Sequence, residues 1–221
     1  MYSRILANGI QIRSSQNADA EQLEELQIIV FPTLEDSQRL KAEHYFKHIE
    51  MFPQGQFVAV DGDRVIGMTS SIRLSDEFLR SSHTFDEIIC GGFCTSHDSD
   101  GEWLYGIDMG THPDYRGKGL ARALYIARHE TVKNLKLKGQ YSVGMLSGYG
   151  EFVTTMTPEQ YYKKLIDGEL RDPTVSAQIK IGFEARGLVK DYLHDPVCGN
   201  CGVTLILPAN ARIEDADTLY K

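Results

Sequence analysis

The segment Met109-Gly110-Thr111-His112-Pro113-Asp114-Tyr115-Arg116-Gly117-Lys118-Gly119-Leu120-Ala121 carries the residue types that hold an anion. It falls where a β-rich run, Trp103 to Met109, gives way to a long amphipathic pattern, Gly117 to Leu137. A helix start offers unpaired N–H groups and the positive end of the helix dipole. Gly117 and Gly119 keep side chains out of the approach to that backbone, and Arg116 and Lys118 add positive charge beside it. The chemistry this predicts is a cradle for a phosphate or pyrophosphate. Two other phosphate loops fail on spacing. A P-loop needs its Lys followed by Ser or Thr, whereas Lys118 is followed by Gly119. A dinucleotide fingerprint wants a further Gly or Ala where Arg122 stands.

Asp108 is the other anomaly, a carboxylate in an otherwise apolar strand, where burial demands a partner. Strand alternation puts Tyr105 and Ile107 on one face and Asp108 on the other, unless a bulge re-aims it. His112, before Pro113, reads as a surface residue. His83, Asp86, Glu87, His97, Asp98 and Asp100 lack the fixed spacing of a zinc or calcium motif and read as a polar loop. Cys198-Gly-Asn-Cys201 has zinc-knuckle spacing, but Cys90 and Cys94 are one residue too far apart to complete it. The expectation is four reduced thiols and no metal.

These residues need elements to position them. Leu23, Leu26, Ile29 and Val30 share one face of a helix that Asn17 or Asp19 can cap, and Thr33 to Phe52 reads as a second helix ended by Pro53. Gln56 to Val60 and Val65 to Ile72 are strands joined by Asp61-Gly62, a tight hairpin turn. Arg73 to Asp100 is a long polar stretch expected to wall a substrate. Trp103 to Met109, the Gly117 to Leu137 helix and a strand from Tyr141 to Leu146 form a β-α-β unit. Helices at Thr157 to Asp167 and Pro173 to Ile181, then strands at Ala185 to Leu193 and Gly202 to Leu207, complete one expected domain over residues 1–221.

Composition narrows the function. Of 221 residues, 23 are Lys or Arg and 31 are Asp or Glu, a formal charge of -8, and no basic stripe offsets the repulsion of a nucleic acid. No segment approaches the ~20 apolar residues of a membrane helix, and Met1 to Gly9 lack the pattern of a secretory signal. A cytoplasmic protein that binds neither nucleic acid nor membrane is expected.

Arg116, Gly119 and Ala121, with Pro113 upstream, resemble the Arg/Gln-x-x-Gly-x-Gly/Ala signature of the GNAT N-acetyltransferase superfamily. The order of elements resembles that family over nearly the whole chain, with Gly182-Phe183-Glu184 at its usual helix end. Gly101-Glu102-Trp103-Leu104-Tyr105-Gly106 and His83-Thr84-Phe85-Asp86-Glu87-Ile88 are similar to the acetyltransferase domain found ahead of nitrilase-type amidase domains in some bacterial proteins. The resemblance implies an α/β (α+β) fold: a mixed, mostly antiparallel central sheet flanked by helices, with a splayed pair of parallel strands around an acyl-CoA site.

What it implies for function is transfer of an acetyl group from acetyl-CoA to a primary amine of a small molecule or protein. Met109, Gly110 and Thr111 would meet the pantetheine arm, with the Met109 N–H polarising the thioester carbonyl, and Arg116, Gly117, Lys118, Gly119, Leu120 and Ala121 would bind the pyrophosphate. The family's usual acid, a tyrosine five residues before Phe183, is here Gln178. Tyr149 is the candidate replacement, and Asp108 and Glu102 are the candidate bases. A homodimer and a separate amidase-type partner are further expectations. The competing reading is a non-catalytic CoA-binding regulatory module with the same fold, which the missing tyrosine favours.

Overall fold

The computed structural model describes residues 1–214. A short hairpin, β1 (Ser3–Ile5) and β2 (Gln11–Ser14), leads into two helices, α1 (Ala20–Val30) and α2 (Ala42–Met51). Ala20, Leu23 and Leu26 are buried on α1, whereas Ile29, expected on the same face, stays exposed. The β-branched runs that follow form β3 (Phe57–Asp61), β4 (Arg64–Thr69) and β5 (Ser71–Leu74). Two short helices, α3 (Asp76–Arg80) and α4 (Phe85–Ile89), precede β6 (Trp103–Gly106) and β7 (Gly110–Thr111). Next come α5 (Leu120–Asn134), β8 (Gly139–Met145), α6 (Pro158–Ile166) and α7 (Val175–Ile181), and the chain closes with β9 (Glu184–Val189) and β10 (Gly202–Pro208).

The strands form two sheets, ordered β1-β2-β3-β4-β7 and β5-β6-β8-β10-β9. Neighbours are antiparallel except β6 and β8, which run parallel from Trp103 opposite Gly139 to Gly106 opposite Ser142. Both members of one strand pair change sheets at the same height. β4 passes into β5 through Ser70, and β6 passes into β7 through Ile107 to Met109. Beyond that break β7 pairs with β4, Gly110 opposite Met68, while β8 stays with β10 as far as Met145. The parallel strands β6 and β8 therefore part company, leaving a V-shaped opening between the sheets. No Cβ fits on Gly110, because it would lie 2.7 Å from Cγ1 of Val30 on α1.

Several elements differ from the sequence expectation. The helix expected over Thr33 to Phe52 covers only Ala42–Met51. Residues 33–40 give their polar groups to other segments: the Glu35 N–H bonds the His194 carbonyl at 3.1 Å, and the Gln38 side chain accepts the His194 N–H at 2.7 Å. Arg39 is extended, at ψ 134, which ends any helix there. The stretch from Arg73 to Asp100 contributes nothing to the main groove; Ile88, Ile89 and Cys94 point into the core, and the segment covers it with α3 and α4. No helix of the described residues is long and apolar enough to cross a membrane.

Candidate active site

Gly119 caps α5 in the left-handed region, φ 72, and no side chain closes the helix start. The N–H groups of the first turn are thus left for a ligand. Gly117 is also left-handed, φ 75, which favours glycine and brings bare backbone to the same place. Before them, Pro113–Tyr115 form a 3-10 turn whose Tyr115 hydroxyl donates to Asp61 at 2.8 Å. His112 is tucked in rather than at the surface: its side chain is 12% exposed, with Nε2 3.0 Å from Arg64 and Nδ1 accepting the Asp114 N–H. Arg116, Gly117, Gly119, Leu120 and Ala121 line the resulting groove. Lys118 does not; its ammonium lies over the Tyr115 ring, 4.4 Å from the centroid.

From the start of α5, a groove of about 710 Å³ runs into the V between the parting strands. Met109, Gly110 and Thr111 form one edge, Met145 and Ser147 the other. The two faces differ. On the side of α5 and α7, Tyr125, Ala177 and Gln178 line the groove. Gln178 is 5% exposed, donates from Nε2 to the Tyr125 oxygen at 2.9 Å, and leaves its own Oε1 without a partner, against Gly144 of β8. A buried amide oxygen left unpaired beside a groove fits a ligand that brings N–H donors, as a pantetheine arm does. The opposite face is walled by Phe31, Pro32 and Thr33 after α1 and by Asp195, Val197 and Cys198 before β10. Asp195 was not foreseen. It is fully buried and accepts the Thr33 hydroxyl at 2.8 Å and the Val197 N–H at 3.0 Å. Burial, with Asp195 beside it, pushes the Cys198 thiol far up.

Asp108 sits in the break between β6 and β7, where it and Ile107 border the same small cavity, against simple alternation. Its carboxylate accepts the Ser70 N–H, the Tyr45 hydroxyl at 2.9 Å and the Gln27 amide at 3.0 Å. Burial pushes its pKa up and these donors pull it back, so this is a desolvated carboxyl with its partners in place. It borders a small cavity of about 40 Å³, whose walls Phe31 and Met145 are shared with the groove. That volume holds a water or two. Glu102 and Tyr149 are not brought to the groove. Glu102 stands at the far end of β6, half exposed and paired with Lys138 at 2.8 Å. Tyr149 donates to the Met156 carbonyl at 3.0 Å and packs edge-on against Tyr161. Among the described residues no three His, Cys, Asp or Glu side chains gather as metal ligands, and the four thiols are unpaired.

Comparison with known proteins agrees with this geometry. The acetyltransferase (GNAT) family pattern matches residues 20–139, from the first residue of α1 to the first of β8. The chain is 32% identical over 184 residues to a Bacillus subtilis protein named "Probable hydrolase YhcX", a match covering 83% of this chain and 35% of that one. The chain thus spans about a third of that relative's length. It is 26% identical over 197 residues to the Bacillus subtilis "Uncharacterized N-acetyltransferase YkwB", covering 89% of this chain and 87% of that one. Among solved structures, the GphF GNAT-like decarboxylase in complex with isobutyryl-CoA shares the fold, with a TM-score of 0.76 at 17% identity over 90% of this chain and 99% of that one. The open start of α5, the parted strands and the family match together establish that this chain belongs to the acetyltransferase (GNAT) family.

Proposed function

We propose that the protein transfers an acyl group, acetyl first among them, from acyl-CoA to a primary amine by direct attack. The observation that carries this reading is the groove itself, which begins at an uncapped helix start and passes between two sheets, giving one face to a CoA donor and the other to an acceptor. In this reading Arg116, Gly117, Gly119, Leu120 and Ala121 hold the pyrophosphate, with Lys118 adding charge from its perch on Tyr115. Met109, Gly110 and Thr111 present backbone to the pantetheine arm, and the Met109 N–H polarises the thioester carbonyl.

The amine arrives as an ammonium ion and must lose a proton before it attacks. Asp108 is the base, reached through water in the small cavity behind Phe31 and Met145. The Tyr45 hydroxyl can rotate from donor to acceptor as the carboxylate takes the proton. Burial makes Asp108 a stronger base than an exposed aspartate.

The likeness to part of a chain named as a hydrolase supports a second element of the reading, an acyltransferase that works beside an amidase-type hydrolase. The test of the main reading is an amine array with acetyl-CoA and detection of released thiol. Acceptor-dependent thiol release supports it. CoA binding without acceptor-dependent release favours the non-catalytic module, and loss of carbon dioxide from a carboxyacyl-CoA without thiol release favours decarboxylation.

A further inference from the structure

Tyr125, on the second turn of α5, faces the groove yet is 3% exposed. Its oxygen accepts the Gln178 side-chain N–H, and its own proton has no acceptor among the described residues. Other tyrosine hydroxyls near the site are committed: Tyr115 to Asp61, Tyr45 to Asp108 and Tyr149 to the Met156 carbonyl. One turn further along α5, the Arg128 guanidinium lies 5.3 Å from the Tyr125 ring centroid. Arg128 is 1% exposed and, among the described residues, bonds the Ser142 hydroxyl at 3.3 Å and leaves Nε without a partner. It packs beneath Gly106, at the point where β6 and β8 part. Asp108 is the carboxylate whose charge acts on this guanidinium, and the guanidinium in turn favours negative charge on the Tyr125 oxygen.

We propose that Tyr125, oriented by Gln178 and backed by Arg128, donates the hydrogen bond that stabilises the departing CoA thiolate, in place of the tyrosine that the family usually carries at the position of Gln178. This rests on the acyl-CoA transfer reading. As the amine nitrogen bonds the carbonyl carbon, the carbon–sulfur bond breaks and its electron pair goes to sulfur, which leaves as a thiolate held by the Tyr125 O–H. The nitrogen loses one proton to Asp108 before attack and its second to water as the carbon–sulfur bond breaks. Ammonium and thioester thus give amide, thiolate and two protons, one of which the thiolate takes up when it leaves the site. Burial pushes the Tyr125 hydroxyl up from its ordinary value, so it stays a donor; of the charged groups that act on it, Arg128 pulls it back and Asp108 opposes that pull. Arg122, on the first turn of α5, is bonded instead to the Lys180 carbonyl at 3.3 Å.

The test needs no known acceptor. CoA is bound to the wild type and to Tyr125→Phe, affinity is measured by calorimetry, and the bound thiol is titrated by the ultraviolet absorbance of its thiolate. A free thiol ionises near ~8.5, and the wild-type site should hold it below that. Tyr125→Phe should bind CoA within about twofold, titrate about tenfold less readily, and, with any acceptor found, lose on the order of 10² in kcat at constant KM for acyl-CoA. Adding Gln178→Tyr to that variant should restore part of the rate. Gln178→Leu, which removes the orienting N–H together with the Oε1 beside it, should shift the titration the same way by less and serves if Tyr125→Phe does not fold. Titration and kcat unchanged from wild type would overturn the assignment while leaving the transfer reading intact. Failure of the wild type to bind CoA would overturn both.

Discussion

The Thr33 hydroxyl donates to the Asp195 carboxylate at 2.8 Å across 162 residues of sequence, tying the segment after α1 to the loop before β10. Both residues line the face of the groove opposite α5 and α7. Thr33→Val keeps the shape and removes one donor to a buried carboxylate, a loss of about 1–3 kcal/mol concentrated on that face. Acceptor KM should rise about fivefold or more while CoA affinity stays constant, by steady-state kinetics and calorimetry. An equal change in both would show that the tie supports the whole groove.

Ala121→Glu separates binding from folding by sign. A carboxylate in the first turn of α5 complements the helix dipole and should hold or raise the unfolding midpoint. The same charge would repel a pyrophosphate on those N–H groups and weaken CoA binding tenfold or more. A variant that keeps wild-type affinity would place the phosphates elsewhere.

Asp108→Asn tests the base. Burial raises the carboxyl above its ordinary 3.8, so as pH falls the folded state binds this proton before the unfolded state does. The stability linked to Asp108 is therefore present at low pH and lost as pH rises from 3.8 through the raised folded value. The Asn variant should lack that component in urea unfolding at a series of pH values. It should also retain CoA binding and lose about 10²-fold in transfer. A folded variant with the wild-type rate would return Asp108 to a purely structural role, closing the strand break by accepting the Ser70 N–H.

The glycine-rich, uncapped start of α5 was legible because everything it needs is local: a strand end, two glycines and a helix start within a few residues. The side on which Asp108 lies was not, because the strand breaks there where β4 and β5 change sheets opposite it at Ser70, and alternation along one strand cannot show that. Asp195 was hidden for a related reason. Its signal was only an aspartate before Pro196 in a loop, and its partner Thr33 lies in a stretch that reads as helix. Tyr125 and Arg128 occupy an ordinary amphipathic helix, and their role emerges only when Gln178 and the parting of β6 and β8 are placed around them.

His48 offers a pH test away from the site. Burial holds its pKa down at about 4, and its Nε2 lies 2.8 Å from the Gly92 carbonyl. With the folded value below the ordinary 6.5, the unfolded state takes up the proton first as pH falls. Its contribution is full above 6.5 and declines toward pH 4, on the order of 3 kcal/mol in all. Unfolding midpoints at neutral and acidic pH should show a smaller acid loss in His48→Gln than in the wild type. Identical losses would contradict the assignment.

The account stands on acyl-CoA lying between the parted strands with its pyrophosphate at the start of α5. The most direct measurement is a titration of ¹⁵N-labelled protein with CoA, following backbone amide resonances. The amides of Gly117, Gly119, Leu120 and Ala121 should shift together with those of Met109 and Thr111, while that of Glu102, at the far end of β6, stays in place. Saturable CoA binding that leaves the α5 start and the Met109 to Thr111 edge unmoved would contradict the account.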